Sequence, residues 1–150
     1  MRAPAPATNL SSETIHASCV AIDGVAVLIE GRSGAGKSDL ALRLIDRGAR
    51  LVSDDYTTLL RRDGALIARP PANLAGRIEV RGIGIVEMAH VTDVPVALIV
   101  AIVEAPPRMP GEGRRRRIAG VDLREIALPS LEPSAPVKVE LALRQRVATT

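Results

Sequence analysis

The eight residues Gly31, Arg32, Ser33, Gly34, Ala35, Gly36, Lys37 and Ser38 constrain this chain more than any other stretch. They fit the pattern G-x-x-x-x-G-K-[ST] and sit where the hydrophobic period changes. Before them, VAVLIE at residues 25–30 is a β-branched run of strand length; after them, Leu40, Ala41, Leu44 and Ile45 recur at the spacing of one helix face. A strand, a glycine-rich turn and a helix in that order form a phosphate cradle. Glycines let successive backbone N–H groups turn toward phosphate oxygens, and the helix adds its positive end. All eight residues are candidate nucleotide contacts. Lys37 is expected to project into a solvent-open site and reach the β- and γ-phosphates, and Ser38 to ligate Mg²⁺.

The rest of the chain predicts an α/β P-loop domain with a strand-rich mixed sheet. Residues 1–12, with Pro4 and Pro6 among small and polar residues, are expected to form a flexible leader, and residues 13–150 a single domain. Residues 15–22 read as one strand, turned by Asp23-Gly24 into the strand at 25–30. The helix after the loop carries Asp39 and Arg43 as an i,i+4 pair and should stop at Gly48. Leu51 and Val52 lead a strand into Asp54 and Asp55, and a second hairpin is expected around Asp63-Gly64. The run RIEVRGIGIVEM at residues 77–88 is strand-like but broken by Gly82 and Gly84, and residues 96–103 read as a buried strand. Residues 106–120 read as a mobile surface loop, and residues 134–147 as a short helix capped by Ser134.

Composition narrows the function classes. The chain has 150 residues, 47% of them hydrophobic and 25% charged, which are ordinary globular values. Tyr56 is the only aromatic residue, so the core must be built from Val, Ile, Leu and Ala, and base-stacking recognition of nucleic acid is nearly excluded. The net charge of +3 is smaller than the charge of Arg114, Arg115, Arg116 and Arg117 alone. That run is a candidate contact for phosphate or an acidic surface, or simply a solvated loop. One cysteine permits no internal disulfide, and no segment resembles a signal peptide or a membrane span, so a soluble cytoplasmic protein is expected.

Acidic residues decide what chemistry follows a phosphate cradle. Asp54 and Asp55 close the strand after the loop's helix, where one carboxylate can face Mg²⁺ and the other take a proton from an attacking hydroxyl. His16, carried back by the first hairpin, can reach Asp54, whereas His90 reads as structural.

Taken together, His16, the GRSGAGKS loop, the strand ARLVSDD and the segment RPPANLAGRIEVRGIGIVEM resemble the catalytic domain of the HPr kinase/phosphorylase family, from about Ile15 to about Val103. The resemblance implies a phosphoenolpyruvate-carboxykinase-like nucleotide core. It also implies an ATP- and Mg²⁺-dependent serine kinase of the phosphocarrier protein HPr, which can remove the phosphate by phosphorolysis to give pyrophosphate. By the same resemblance Asp54 is the catalytic base, His16 interacts with it, and Asp55 supports it near the metal. Ser38 and Glu79 help to hold the metal, and Arg81 lies in the family signature beside the site. Asp39 stands where the family typically has Glu. Two-domain members carry a further N-terminal domain, so the likeness is to the short, catalytic-domain form. A homo-oligomer, a hexamer in the family, is the implied assembly. The alternatives are a P-loop kinase of another protein or small hydroxyl compound, and a slow nucleotide-dependent sensor module.

Overall fold

A computed structural model of the chain describes residues 12–108 and 114–148. Eleven strands and two α-helices are found among them: β1 (Ser12–Ile15), β2 (Ser18–Ile22), β3 (Val25–Glu30), α1 (Lys37–Asp46), β4 (Arg50–Ser53), β5 (Thr57–Arg62), β6 (Ala65–Arg69), β7 (Arg77–Val80), β8 (Gly84–Glu87), β9 (Val94–Ile102), β10 (Arg114–Ile118), β11 (Val121–Leu128) and α2 (Ala135–Ala148). One turn of 3-10 helix (Ala72–Leu74) precedes β7.

Nine strands make one mixed sheet in the order β1-β5-β6-β9-β3-β2-β4, with β11 also on β9 and β10 on β11. The β3–β9 and β9–β11 pairings are parallel, and the others in this sheet are antiparallel. β7 and β8 form a separate antiparallel hairpin. This is the α/β, strand-rich mixed sheet that the sequence predicts.

The central strands are buried on both faces. Val27 and Ile29 of β3 pack with Leu40 and Leu44 of α1 and Val139 of α2, while Ala26 and Leu28, pointing the other way, pack with Val52, Leu59 and Leu66. Two clusters of small and branched residues thus replace an aromatic core. α1 is locked at its end as expected: Gly48 takes φ 113°, its N–H donates to the Ile45 carbonyl, and the Ala49 N–H donates to the Leu44 carbonyl. No helix among the described residues is long and apolar enough to cross a membrane.

The structure corrects the sequence reading in two places. The strand expected over residues 15–22 is two strands, β1 on β5 and β2 between β3 and β4, separated by a bend at His16 and Ala17. Exposed Ser12, Glu13 and Thr14 lie on an edge strand, whereas Ser18 to Ala21 are buried, so the two halves serve different surroundings. The loop expected over residues 106–120 contains β10, which turns through Ala119 and Gly120, both at positive φ, into the unforeseen β11. The arginine run is extended because its charges find partners: Arg114 and Arg116 reach Glu125, Arg116 also reaches Glu30, and Arg117 reaches Asp122. Residues 109–113 of that segment, and residues 1–11 of the expected leader, lie outside the described residues; Ser12 opens β1.

Candidate active site

The phosphate-type loop occupies the turn from β3 to α1. Its first and last parts are tied across the loop: Lys37 Nζ donates to the Gly31 carbonyl at 3.1 Å, and the Ala35 N–H donates to the Arg32 carbonyl at 3.0 Å. Lys37 is only 6% exposed, so the solvent-open lysine expected from the sequence is instead folded over its own loop. The carbonyl oxygen is an acceptor for one of the three ammonium donors. Gly36 caps α1 in the left-handed region at φ 105°, which favours glycine there.

β4 ends beside this loop and delivers Asp54. The aspartate is 7% exposed and accepts three hydrogen bonds: Ser18 Oγ at 2.9 Å and Ser38 Oγ at 2.6 Å on Oδ1, and the Glu79 backbone N–H at 3.0 Å on Oδ2. One carboxylate therefore joins β2, the first turn of α1 and the β7–β8 hairpin. The chain then turns sharply. Asp55 sits at φ 69°, its N–H donates to Ser18 Oγ at 3.0 Å, the Tyr56 N–H donates to the Asp54 carbonyl at 2.7 Å, and Ser53 Oγ donates to the Tyr56 carbonyl at 2.5 Å. A non-glycine residue in the left-handed region at such a place is backbone held by its surroundings.

His16 does not reach Asp54. Its Nε2 lies 2.8 Å from Asp55 Oδ1, and its ring stacks on Tyr56 with centroids 4.9 Å apart. The bend between β1 and β2 aims the ring at the residue after the one expected. The Glu79 side chain is exposed and contributes its backbone, not its carboxylate, to Asp54. Arg81 is exposed in the turn from β7 to β8. Arg32 pairs with Glu104 at 2.9 Å on the surface, an ion pair of little energetic weight. His90 packs over Gly76, and its backbone bridges to Leu51 of β4. Cys19 is buried, and burial pushes its thiol far up, which makes it core packing and not a nucleophile.

Two residues that the sequence reading missed complete the site. Ser18 fixes both aspartates, and its place two residues after His16 was the available signal. Ser130, from the turn between β11 and α2, donates its hydroxyl to the Ala35 carbonyl at 2.5 Å. Nothing in LPSLEP announces that contact. A groove of about 830 Å³ lies along the outer side of the loop, walled by Arg32, Ala35, Val103, Ser130 and Leu131 among others.

The donor set suits a hard cation. Ser38 Oγ and Asp54 are oxygen ligands of the kind Mg²⁺ takes together with phosphate oxygens and water, and the neighbouring hairpin carries a second carboxylate on exposed Glu79. No group of three or more His, Cys, Asp or Glu side chains is placed to hold a metal among the described residues.

The family model described as HPr Serine kinase C-terminal domain matches residues 8–133. The HPr kinase/phosphorylase of Clostridium beijerinckii is 47% identical over 83 residues, covering 55% of this chain and 28% of that protein. That of Clostridium tetani is 35% identical over 134 residues, covering 81% of this chain and 44% of that protein. The chain thus spans less than half the length of these curated relatives. A solved structure described as the Hpr(Ser) kinase/phosphatase from Coxiella burnetii superposes with a TM-score of 0.79 at 33% identity, covering 91% of this chain and 97% of that one. Matched by that model over residues 8–133, this chain belongs to the HPr serine kinase C-terminal domain family.

Proposed function

We propose that this chain is an ATP- and Mg²⁺-dependent serine kinase of an HPr-type phosphocarrier protein, and that the same site removes that phosphate by phosphorolysis. The observation that carries the reading is Asp54, fixed between the P-loop serine and the hairpin, at the mouth of a loop built for phosphate. In the forward direction the backbone N–H groups of residues 34–38 and the Lys37 ammonium hold the phosphates. Lys37 exchanges the Gly31 carbonyl for phosphate oxygen. Bound Mg²⁺, held by Ser38 with Asp54 and Glu79 nearby, supplies charge neutralisation on the phosphoryl oxygens. Asp54 takes the proton of the incoming serine hydroxyl. Little covalent work falls to the protein; its contribution is positioning and electrostatics.

A second reading is favoured by the hydrogen bonds themselves. Three donors already occupy the Asp54 oxygens. Asp55 is exposed, is oriented by His16, and is open to an incoming hydroxyl. In this reading Asp54 serves the metal side and the Asp55–His16 pair the hydroxyl. Phosphocarrier, nucleotide preference for ATP, cytoplasmic location and assembly into a hexamer rest on the family alone. The test is to incubate the protein with HPr, Mg²⁺ and labelled ATP and locate the label. A labelled serine on HPr supports the proposal; label transfer to another substrate only, or none, overturns it.

A further inference from the structure

The loop that holds the phosphates is itself held from outside by a polar brace running through Ser130. Ser130 is 3% exposed, and its hydroxyl donates to the Ala35 carbonyl at 2.5 Å. Its own carbonyl, and that of Glu132, accept from the Arg43 guanidinium, the latter at 3.1 Å. Arg43 lies on α1 and is steadied by Asp39, 3.0 Å away. The brace therefore closes on itself: loop to α1, α1 through Arg43 to the turn before α2, and that turn through Ser130 back to the loop.

The atom Ser130 grips determines which way a donor points. The Ala35 carbonyl and the Gly36 N–H belong to one trans peptide unit, and no cis bond occurs among the described residues, so the two point to opposite sides. Holding the carbonyl against the Ser130 turn directs the Gly36 N–H away from that turn. The approach is close enough to require glycine: a Cβ built on Gly36 would lie 2.4 Å from Ser130 Oγ. The glycine at this position is set by Ser130 as well as by the left-handed φ.

We infer that Ser130 is a positioning residue for phosphate binding, which orients the Gly36 N–H of the phosphate cradle before ligand arrives, with Arg43 holding Ser130 in place. The inference rests on the reading of the loop as a nucleotide site. A neutral hydrogen bond of this kind changes an equilibrium by roughly 3- to 10-fold.

The test is equilibrium binding of pyrophosphate and of ATP, each with Mg²⁺, to the parent, Lys37→Ala, Ser130→Ala, Ser130→Thr and Arg43→Gln proteins, alongside their unliganded melting temperatures. The expected result is that Ser130→Ala weakens both ligands about 3- to 10-fold, whatever fall in melting temperature the lost hydrogen bond brings. Ser130→Thr, which keeps the hydroxyl, binds as the parent does, and Arg43→Gln shows a smaller loss of the same kind. A purely structural serine would move the melting temperature and leave both affinities alone. Lys37→Ala weak but Ser130→Ala and Arg43→Gln equal to the parent overturns the brace and keeps the nucleotide site. Parent and Lys37→Ala binding equally poorly removes the nucleotide site and the brace with it.

Discussion

Ser38 Oγ lies 2.6 Å from Asp54 Oδ1, which joins the first turn of the P-loop helix to the end of β4 through a single carboxylate oxygen. The contact puts Asp54 on the side of the site where Ser38 would meet Mg²⁺, while His16 stands 2.8 Å from Asp55. The two aspartates are adjacent in sequence yet have different partners, and their roles separate experimentally. The residue that takes the serine proton should lose about 10²- to 10⁴-fold in kcat as its asparagine variant, roughly 2.7 to 5.4 kcal/mol of barrier, with ATP affinity retained. The metal-side residue should lose affinity for MgATP. Measuring both constants for Asp54→Asn and Asp55→Asn assigns the roles. Parent-like constants for both variants would remove the aspartates from the reaction.

His16→Ala should lower the rate less than the loss of the base, because His16 orients Asp55 through its hydrogen bond and leaves both carboxylates in place. A kcat equal to the parent's would count against the His16–Asp55 coupling.

Lys37→Ala removes a cation from the phosphate cradle and also the bond that crosses the loop to the Gly31 carbonyl. Most ATP-dependent transfer should disappear, and the unliganded protein should keep its far-ultraviolet circular dichroism, since the two hydrophobic clusters do not include this side chain. Normal turnover in this variant would sink the P-loop assignment.

Much of this site was legible because local rules govern it. The loop, the Asp39–Arg43 pair and the Gly48 helix end all follow from residues within a turn of one another, and each is found where the spacing puts it. What was not legible depends on partners far away in sequence. Arg114 and Arg116 look like a loose cationic loop until Glu30 and Glu125 are brought beneath them. His16 was aimed at Asp54 because a continuous strand over 15–22 leaves no bend, and the bend comes from β1 pairing with β5. Ser130 is 95 residues from its partner Ala35.

The arginine run yields a prediction from that difference. Arg116, whose guanidinium is pushed up by its hydrogen bond to Glu30, serves half-buried Glu30 and buried Glu125, so Arg116→Ala should lower the melting temperature. Arg115 is exposed and has no ion-pair partner among the described residues, so Arg115→Ala should leave the melting temperature unchanged. Equal, purely functional effects of both variants on the KM for HPr would instead make the run a docking surface.

Arg47, which caps the C-terminal end of α1, and Glu140 of α2 form a two-pronged pair, at 3.0 and 2.8 Å, that ties the helices together. The hydrogen bonds from Arg47 hold the Glu140 carboxyl below the usual glutamate range. A carboxylate whose pKa is lowered on folding stabilises the fold fully above its unfolded pKa, and that stabilisation is lost as pH falls through the folded value. Glu140→Gln should therefore melt at a lower temperature than the parent at neutral pH, and the gap should close in acid below the usual glutamate range. A gap that stays constant with pH would mean the pair adds nothing electrostatic.

Phosphorolysis follows from the same geometry if the kinase reaction does. A cradle that holds the β-phosphate of ATP can hold free phosphate on the same N–H groups, in line with a phosphoserine occupying the product position. An oxygen of inorganic phosphate attacks the phosphoserine phosphorus, the bond to the serine oxygen breaks, and pyrophosphate and the free hydroxyl result. The attacking hydrogen phosphate brings the proton that the serine oxygen needs, and the aspartate that faces this oxygen in the forward direction is placed to relay it. Supplying phosphoserine-HPr, Mg²⁺ and phosphate without nucleotide should release pyrophosphate, and the asparagine variant that loses the kinase step should lose this one by a similar factor. Kinase activity on HPr with no pyrophosphate released would make the chain a one-way kinase. Loss of only one direction in that variant would show that proton transfer is not what the aspartate supplies.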